Sequence, residues 1–338
     1  MRVTQNTNFN TIRDTIQTSR GRMEELQNKA ATLKKLNRPS DNPVDTAKVL
    51  EIRTDKVNNE QYFRNAKLAE AFLNNSDHAV DELVEVINRA KEIAINQSSG
   101  ASSTDETRLG VAEEVAQLFQ RAVSAANTRI GDRYLFGGYQ TDQPPVNVEG
   151  RYQGDAGEMM VEIGKDVFLS MNLPGIYVFN TNPEKSVDYQ NLQQKEMLEA
   201  KAQGQEPEEV PPPKLNADGS LSHTGQENIN VFQELKNLRI GLLTGDLDGV
   251  RNTLERFDKL HATLVASRSR IGSRVSGLLG SINAMERHNL TNAELNSVLE
   301  DADMAEVLGN IAREETVFKS VLSSSTRLVQ PTLIDFLG

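Results

Sequence analysis

Residues 133–146 read RYLFGGYQTDQPPV. A helix-like run precedes this stretch, and helical periodicity does not return until about residue 230. Gly137 and Gly138 tolerate positive φ and can stop a helix. Pro144 and Pro145 then prevent its resumption. The stretch therefore marks a place where the chain leaves a helical body, turning at Phe136, Gly137 and Gly138, to build a side domain.

Upstream, Phe9, Ile12, Ile16, Ser19, Met23, Leu26, Ala30 and Leu33 alternate in steps of three and four. That spacing places one stripe of a helix against a partner helix. The run stops at NRPSDNPVD, residues 37–45. Pro39 and Pro43 cannot sit inside a continuous helix, whereas Ser40, Asp41 or Asn42 can cap the next one. A long helix is predicted over about 44–96, with a seam at Leu68, Phe72, Asn75, Ala79, Leu83, Val86, Ala90 and Ile93. QSSGASSTD reads as a loop whose Ser103 or Thr104 caps the following helix. That helix carries the seam Leu109, Ala112, Ala116, Phe119, Val123, Ala126 and Ile130.

Downstream of the glycines the period changes to two. Met159, Val161 and Ile163, then Val167, Leu169 and Met171, alternate with other residues about Gly164-Lys165-Asp166, predicting a β-hairpin with one buried face. Residues 181–228 are polar, with a PPP run, and read as a flexible acidic insertion holding a short helix near 189–202. Helicity resumes near Asn230. One long seam runs through Leu264, Ile271, Val275, Leu278, Ile282 and Met285 and turns polar at Asn289, Asn292 and Asn296. A last helix carries Met304, Leu308, Ile311, Phe318, Leu322 and Val329, interrupted by Glu315 and Ser325. The sequence ends in an apolar group, Leu333, Ile334, Phe336 and Leu337.

The expected fold is mainly α with a small β-rich insertion: an elongated rod of long, coiled-coil-like helices formed by both chain ends. Composition agrees. Hydrophobic residues are 37% and aromatics 5%, with no Trp, which suits narrow helical seams better than one large core. There is no Cys, hence no disulfide framework, thiolate site or cysteine nucleophile. The first residues, MRVTQNTNFNTIRD, lack the apolar core of a signal peptide, and no run approaches a membrane span, so a soluble chain is expected.

A net charge of −11 disfavours nucleic acid as a partner. The charge is uneven. Residues 1–38 carry eight Lys/Arg against three Asp/Glu, whereas residues 299–338 carry three against seven. If the middle folds back, the two ends meet as an antiparallel pair of opposite charge. Each exposed ion pair is worth only about 0–1 kcal/mol, so the apolar stripes matter more. Buried Ser19, Asn75, Asn289, Asn292 and Asn296 would fix the register of that packing at a cost in stability.

Catalytic chemistry is not apparent. The four His are dispersed and none falls in a metal-binding spacing. Glu300, Asp301 and Asp303 lack the glycine and distal Glu of a calcium loop and are expected to cap the last helix. Gly272, Gly277 and Gly280 are not followed by the Lys-Ser/Thr of a phosphate loop. The expectation is a protein without catalytic residues, cofactor or metal.

MRVTQNTNFN at the start, LNRPSDNPVDTAKVLEIR, RYLFGGYQTDQPP and the block 270–337 together resemble the flagellar hook-associated protein 3 family, hook–filament junction proteins related to flagellin. The resemblance covers both ends and much of the helical body. It implies a ring of subunits contacting another hook-associated protein on the hook side and flagellin on the filament side. It also implies export through the flagellar type III apparatus without a cleaved signal, and a cytoplasmic chaperone on about 304–337. Carried over by position, residues 1–37 with 301–338 would form a terminal coiled-coil core. Residues 38–140 with 230–300 would form a helical rod, and 141–229 an outer domain. The assembly interface would comprise the large apolar residues of the two terminal seams, from Phe9 to Leu33 and from Met304 to Leu337. Flagellin itself, and a cytoplasmic coiled-coil scaffold, are the alternatives.

Overall fold

Proline and asparagine decide where the helices begin. The structure, a computed structural model, describes residues 5–98, 105–185 and 228–329. They form α1 (Gln5–Thr32), α2 (Pro43–Ser98), α3 (Asp105–Ala126), α4 (Gly175–Phe179), α5 (Val231–Thr244), α6 (Leu247–Glu300) and α7 (Met304–Val329). Two small antiparallel sheets pair β1 (Arg129–Ile130) with β2 (Arg133–Tyr134) and β3 (Met160–Gly164) with β4 (Val167–Ser170). The mainly α fold with a small β part is as the sequence led us to expect. No described helix is long and apolar enough to cross a membrane. The chain divides into two compact units. One holds the described residues up to Glu60 and from Met285 onward, and the other is Gln61–Ala284.

In the first unit, α1 runs antiparallel to α7, as the bond from Ser19 to Glu314 and that from Ala302 N–H to the Leu33 carbonyl require. The break at NRPSDNPVD is built from side-chain caps. Asn42 Oδ1 accepts from the N–H groups of Val44 and Asp45, both at 3.2 Å, and Pro43 occupies the first helical position. Asp41 accepts from the N–H groups of Asn37 and Arg38, and these bonds hold its carboxyl below the usual range. Asp303 caps α7 by accepting from Ala305 and Glu306.

In the second unit, α2 faces α3 through ion pairs of Arg121 with Glu82 and Glu85, and of Arg89 with Glu114. It faces α6 through Arg268 with Asp77 and Asp81, and through Lys91 with Asp258. The core of this unit is mainly aliphatic: Leu73, Val80, Leu83 and Ile87 of α2 are buried, as are Phe257, Leu260 and Leu264 of α6. Asn230 caps α5 by accepting from Phe232 and Gln233, where helicity was expected to return. The exit and the return are held together. Asn180 bridges to Asn230, and its Oδ1 accepts from the side chains of both Asn228 and Asn230, each at 3.1 Å.

Several expectations are corrected. The helix before the glycines ends at Ala126, and the β1–β2 hairpin follows, turning at Gly131 with φ +58°. The Asn127 side chain ends it by gripping the backbone of Val146 from both sides, at 2.8 Å and 3.0 Å. In the α2 seam Phe72, Ala79, Leu83, Val86, Ala90 and Ile93 are buried as expected, but Leu68 and Asn75 are exposed, and Ala66, Ala69, Leu73, Ser76 and Val80 are buried as well. Asn75 therefore fixes no register. In α3 Leu109 is exposed, and Val115, Leu118 and Ala122 are buried instead. Glu300 ends α6 in an ion-pair cluster and caps nothing. The Ser103 or Thr104 cap and the helix near 189–202 lie outside the described residues.

The RYLFGG turn is a packed element. Phe136 and Phe179 meet edge-on at 5.5 Å, and the chain of rings continues through Phe232 to Phe119. The Tyr152 hydroxyl lies 2.7 Å from the Phe136 carbonyl, and burial pushes its pKa up. Gly138 has φ +71°, and a Cβ there would fall 1.9 Å from Asp155 Oδ1, which accepts from the Tyr139 and Gly157 N–H groups. Replacing Gly138 with Ala adds left-handed strain and displaces Asp155. We expect about 2–4 kcal/mol loss of stability, checked by urea denaturation, with an exposed helix glycine such as Gly110 as the control site.

Candidate functional site

The first unit holds the candidate interface. On α1 the residues facing α7 are Ile12, Ile16, Ser19, Met23, Leu26 and Ala30. On α7 they are Met304, Val307, Ile311, Glu314, Phe318 and Val321. Both sets follow steps of three and four. Only Ser19 and Val307 of these are buried; every other member is half-exposed. Two helices alone cannot cover their own seam, because each stripe is wider than one line of contact.

Of the residues the sequence marked, Ile12, Ile16, Met23 and Leu26 lie on this seam, as do Met304, Ile311 and Phe318. Leu308 and Leu322 flank it and are 56% and 40% exposed. Leu33 lies beyond α1, with φ +58° and 56% exposure, so it ends the stripe where it was expected to extend it. Phe9 and Val329 belong to α1 and α7. Leu333, Ile334, Phe336 and Leu337 lie outside the described residues. Phe136, Gly137 and Gly138 are buried in the second unit. Sequence reading missed Val307, Glu314 and Val321, although each completes a three–four step from Met304, Ile311 or Phe318.

A polar layer crosses the seam. The Ser19 hydroxyl donates to Glu314 Oε1 at 2.8 Å. At the end of the pair, the two connectors form a short antiparallel bridge: Lys35 N–H donates to the Glu300 carbonyl at 2.8 Å, and Ala302 N–H to the Leu33 carbonyl at 3.0 Å. The Glu300 carboxylate is buried, with Lys34 and Arg53 at 2.5 and 2.6 Å and the Asn296 amide at 3.0 Å. Burial alone would raise its pKa, but the hydrogen bonds from Lys34, Arg53 and Asn296 outweigh it and hold it at about 2. Asn59 donates to His288 Nδ1 and to Asn289 Oδ1 in the same unit. Among the described residues no group of three or more His, Asp or Glu side chains is placed to hold a metal ion.

Apolar exposure extends around the unit. Val44, Leu50 and Val57 of α2 and Leu290 and Val298 of α6 are all more than half exposed. Singly exposed apolar side chains are ordinary on a protein surface, so it is the half-exposed α1–α7 seam that sets this unit apart.

The Glu300 cluster makes stability pH-dependent. Its folded pKa, about 2, lies below the ordinary 4.5. Its contribution is complete above pH 4.5 and is lost as the pH falls from there toward 2. Replacing Glu300 with Gln is expected to cost roughly 1–3 kcal/mol at pH 7, because Lys34 and Arg53 can rehydrate once freed. It should also flatten the acid limb of a melting-temperature profile, measured by circular dichroism.

Residues 3–141 match the family model described as the bacterial flagellin N-terminal helical region. The flagellar hook-associated protein 3 of Escherichia coli is 24% identical over 159 residues, which is 46% of this chain and 50% of that protein. The chain thus spans about half the length of the curated relatives it matches. Among solved structures, one assigned to a flagellar hook-associated protein of Vibrio parahaemolyticus superposes with a TM-score of 0.59 at 17% identity, over 77% of this chain and 99% of that one. The flagellar junction protein FlgL of Legionella pneumophila gives 0.52 at 16% identity, over 75% and 100%. Residues 3–141 are thus similar to the bacterial flagellin N-terminal helical region, and part of the chain is similar to flagellar hook-associated protein 3.

Proposed function

We propose that this chain is a structural subunit of the bacterial flagellum that forms the junction ring between hook and filament. The observation that carries the reading is the half-exposed seam of α1 and α7. A stripe that two helices cannot cover is a stripe for further helices, and an assembly of identical subunits supplies them. Relatives named for the hook and the junction support the junction over other assemblies. In this reading, residues 1–37 with 301–338 form the inner core, residues 38–140 with 230–300 a helical rod, and 141–229 the outer domain. Phe9 and Val329, with Leu333, Ile334, Phe336 and Leu337, extend the core stripes.

The partners are further copies in a ring, another hook-associated protein on the hook side and flagellin on the filament side. Before assembly a cytoplasmic chaperone covers the C-terminal region. The chain leaves the cell through the flagellar type III apparatus without losing a signal peptide. Its role is mechanical, joining two lattices, and calls for no catalysis. The match to the flagellin N-terminal region favours flagellin as the second reading.

Immunogold electron microscopy on intact cells, with an antibody to residues 186–227, distinguishes them. One cluster at the far end of each hook is expected. Label along the filament would mean flagellin, and label only inside the cell would overturn both readings.

Replacing Ile311 and Phe318 with Ser removes two half-buried seam contacts, each worth roughly 1–2 kcal/mol, below the range for full burial. The variant is expected to keep most of its helicity, to disappear from the flagellar fraction on immunoblots and to bind the chaperone more weakly.

A further inference from the structure

The α1–α7 pair has two different flanks, and they are complementary. One flank carries a groove of about 400 Å³, lined by Thr11, Ile12 and Thr15 of α1 and by Val317, Ser320 and Val321 of α7, with no charged side chain in its lining. The opposite flank carries a ridge. Leu308, Glu315 and Leu322 recur every seven residues, and at about 100° per residue they fall on the other side of the Ile311–Glu314–Phe318 line from Val317 and Val321. Leu308 and Leu322 project 56% and 40% exposed.

We infer that the ridge of one copy docks in the groove of the next, so that assembly proceeds by a head-to-tail contact between α7 and a neighbour's α1. This rests on the assembly reading above. Its register follows from spacing. With Leu322 beside the neighbour's Thr15, Glu315 lies about 10.5 Å further along its helix. Arg22 lies seven residues beyond Thr15 on the same flank of α1, the same distance away, and is exposed. A carboxylate thus meets a guanidinium at the rim. Among the described residues of its own copy Glu315 pairs with Lys319 alone, at 3.9 Å and largely solvated, an ion pair worth little. The groove's small Thr and Ser side chains admit a close-lying leucine. In this register a neighbour's α7 runs antiparallel to α1, as it does within one copy, so all copies point the same way along the axis. Ridge and groove lie on opposite flanks, so the contact does not satisfy itself in a dimer. It repeats until it closes into a ring or continues as a helix.

The absence of Cys makes the test clean. The double variant Thr15→Cys/Leu322→Cys is expressed as the full chain in cells, and isolated flagella are oxidised and run on a non-reducing gel. Both positions are exposed, so folding should survive. Disulfide formation needs the two Cβ atoms about 4 Å apart. The expected result is a ladder of covalent multimers, with either single variant staying monomeric. Dimers alone would mean a self-complementary contact and overturn the head-to-tail arrangement. No cross-link in chain that is present in the flagellar fraction would overturn the docking site and leave the assembly reading standing. Absence of both the variant and the wild type from that fraction would overturn the assembly reading itself.

Discussion

One buried carboxylate governs how the two ends of this chain meet. Glu300 accepts from Lys34 and Arg53, residues that lie on either side of the NRPSDNP break, and so ties the end of α6 to the end of α1 and the start of α2 at once. A buried charge must be compensated, and the observed arrangement of these connectors brings both cations and the Asn296 amide to it. The two backbone bonds between 33–35 and 300–302 follow from the same placement, and they fix where α1 starts its run beside α7. The register of the seam is therefore set twice, by this cluster at one end and by Ser19 with Glu314 along its length.

With register set by polar groups, the apolar stripe is free to be incomplete. Ile12, Ile16, Phe318 and Val321 hold the helices together without being enclosed by them. In a chain whose ends had to be stable alone, a wider apolar stripe would be wasteful. In a subunit that gains its remaining contacts from neighbours, the half-covered seam is the consistent solution.

The helices and their breaks were legible because their signals are local. Pro43 after Asn42, Asn230 before an apolar run, and the alternation on either side of Gly164 each act within a few residues. In the α6 seam Leu264, Ile271, Leu278, Ile282, Met285 and Asn292 are buried as read, while Val275, Asn289 and Asn296 are half-exposed. The α2 seam was misjudged only at Leu68 and Asn75 and the α3 seam more widely, because alanine-rich helices present a broad apolar face on which several lines fit three–four spacing. Leu68 and Leu109 satisfied the pattern yet lie at its edge. In the candidate interface, the large residues facing inward were largely recovered. Glu314 was passed over because a carboxylate in an apolar stripe has meaning only when its partner, Ser19, is seen. The Glu300 cluster was beyond reach for the same reason, since its cations are separated from it by more than two hundred positions along the chain.

The Asn180–Asn230 bridge also changes what insertion length costs. Thr181 donates its N–H to the Ile229 carbonyl, and Ile229 donates back to the Thr181 hydroxyl, so the two stretches of chain are locked side by side. Everything between them is a closed loop whose ends are already fixed by bonds independent of its contents. The entropy of closing such a loop grows only logarithmically, at about 0.6 kcal/mol for each doubling of length. Selection can therefore lengthen, shorten or replace the segment between these two positions at little cost to the closure, and its sequence can drift on a different clock from that of the helical core.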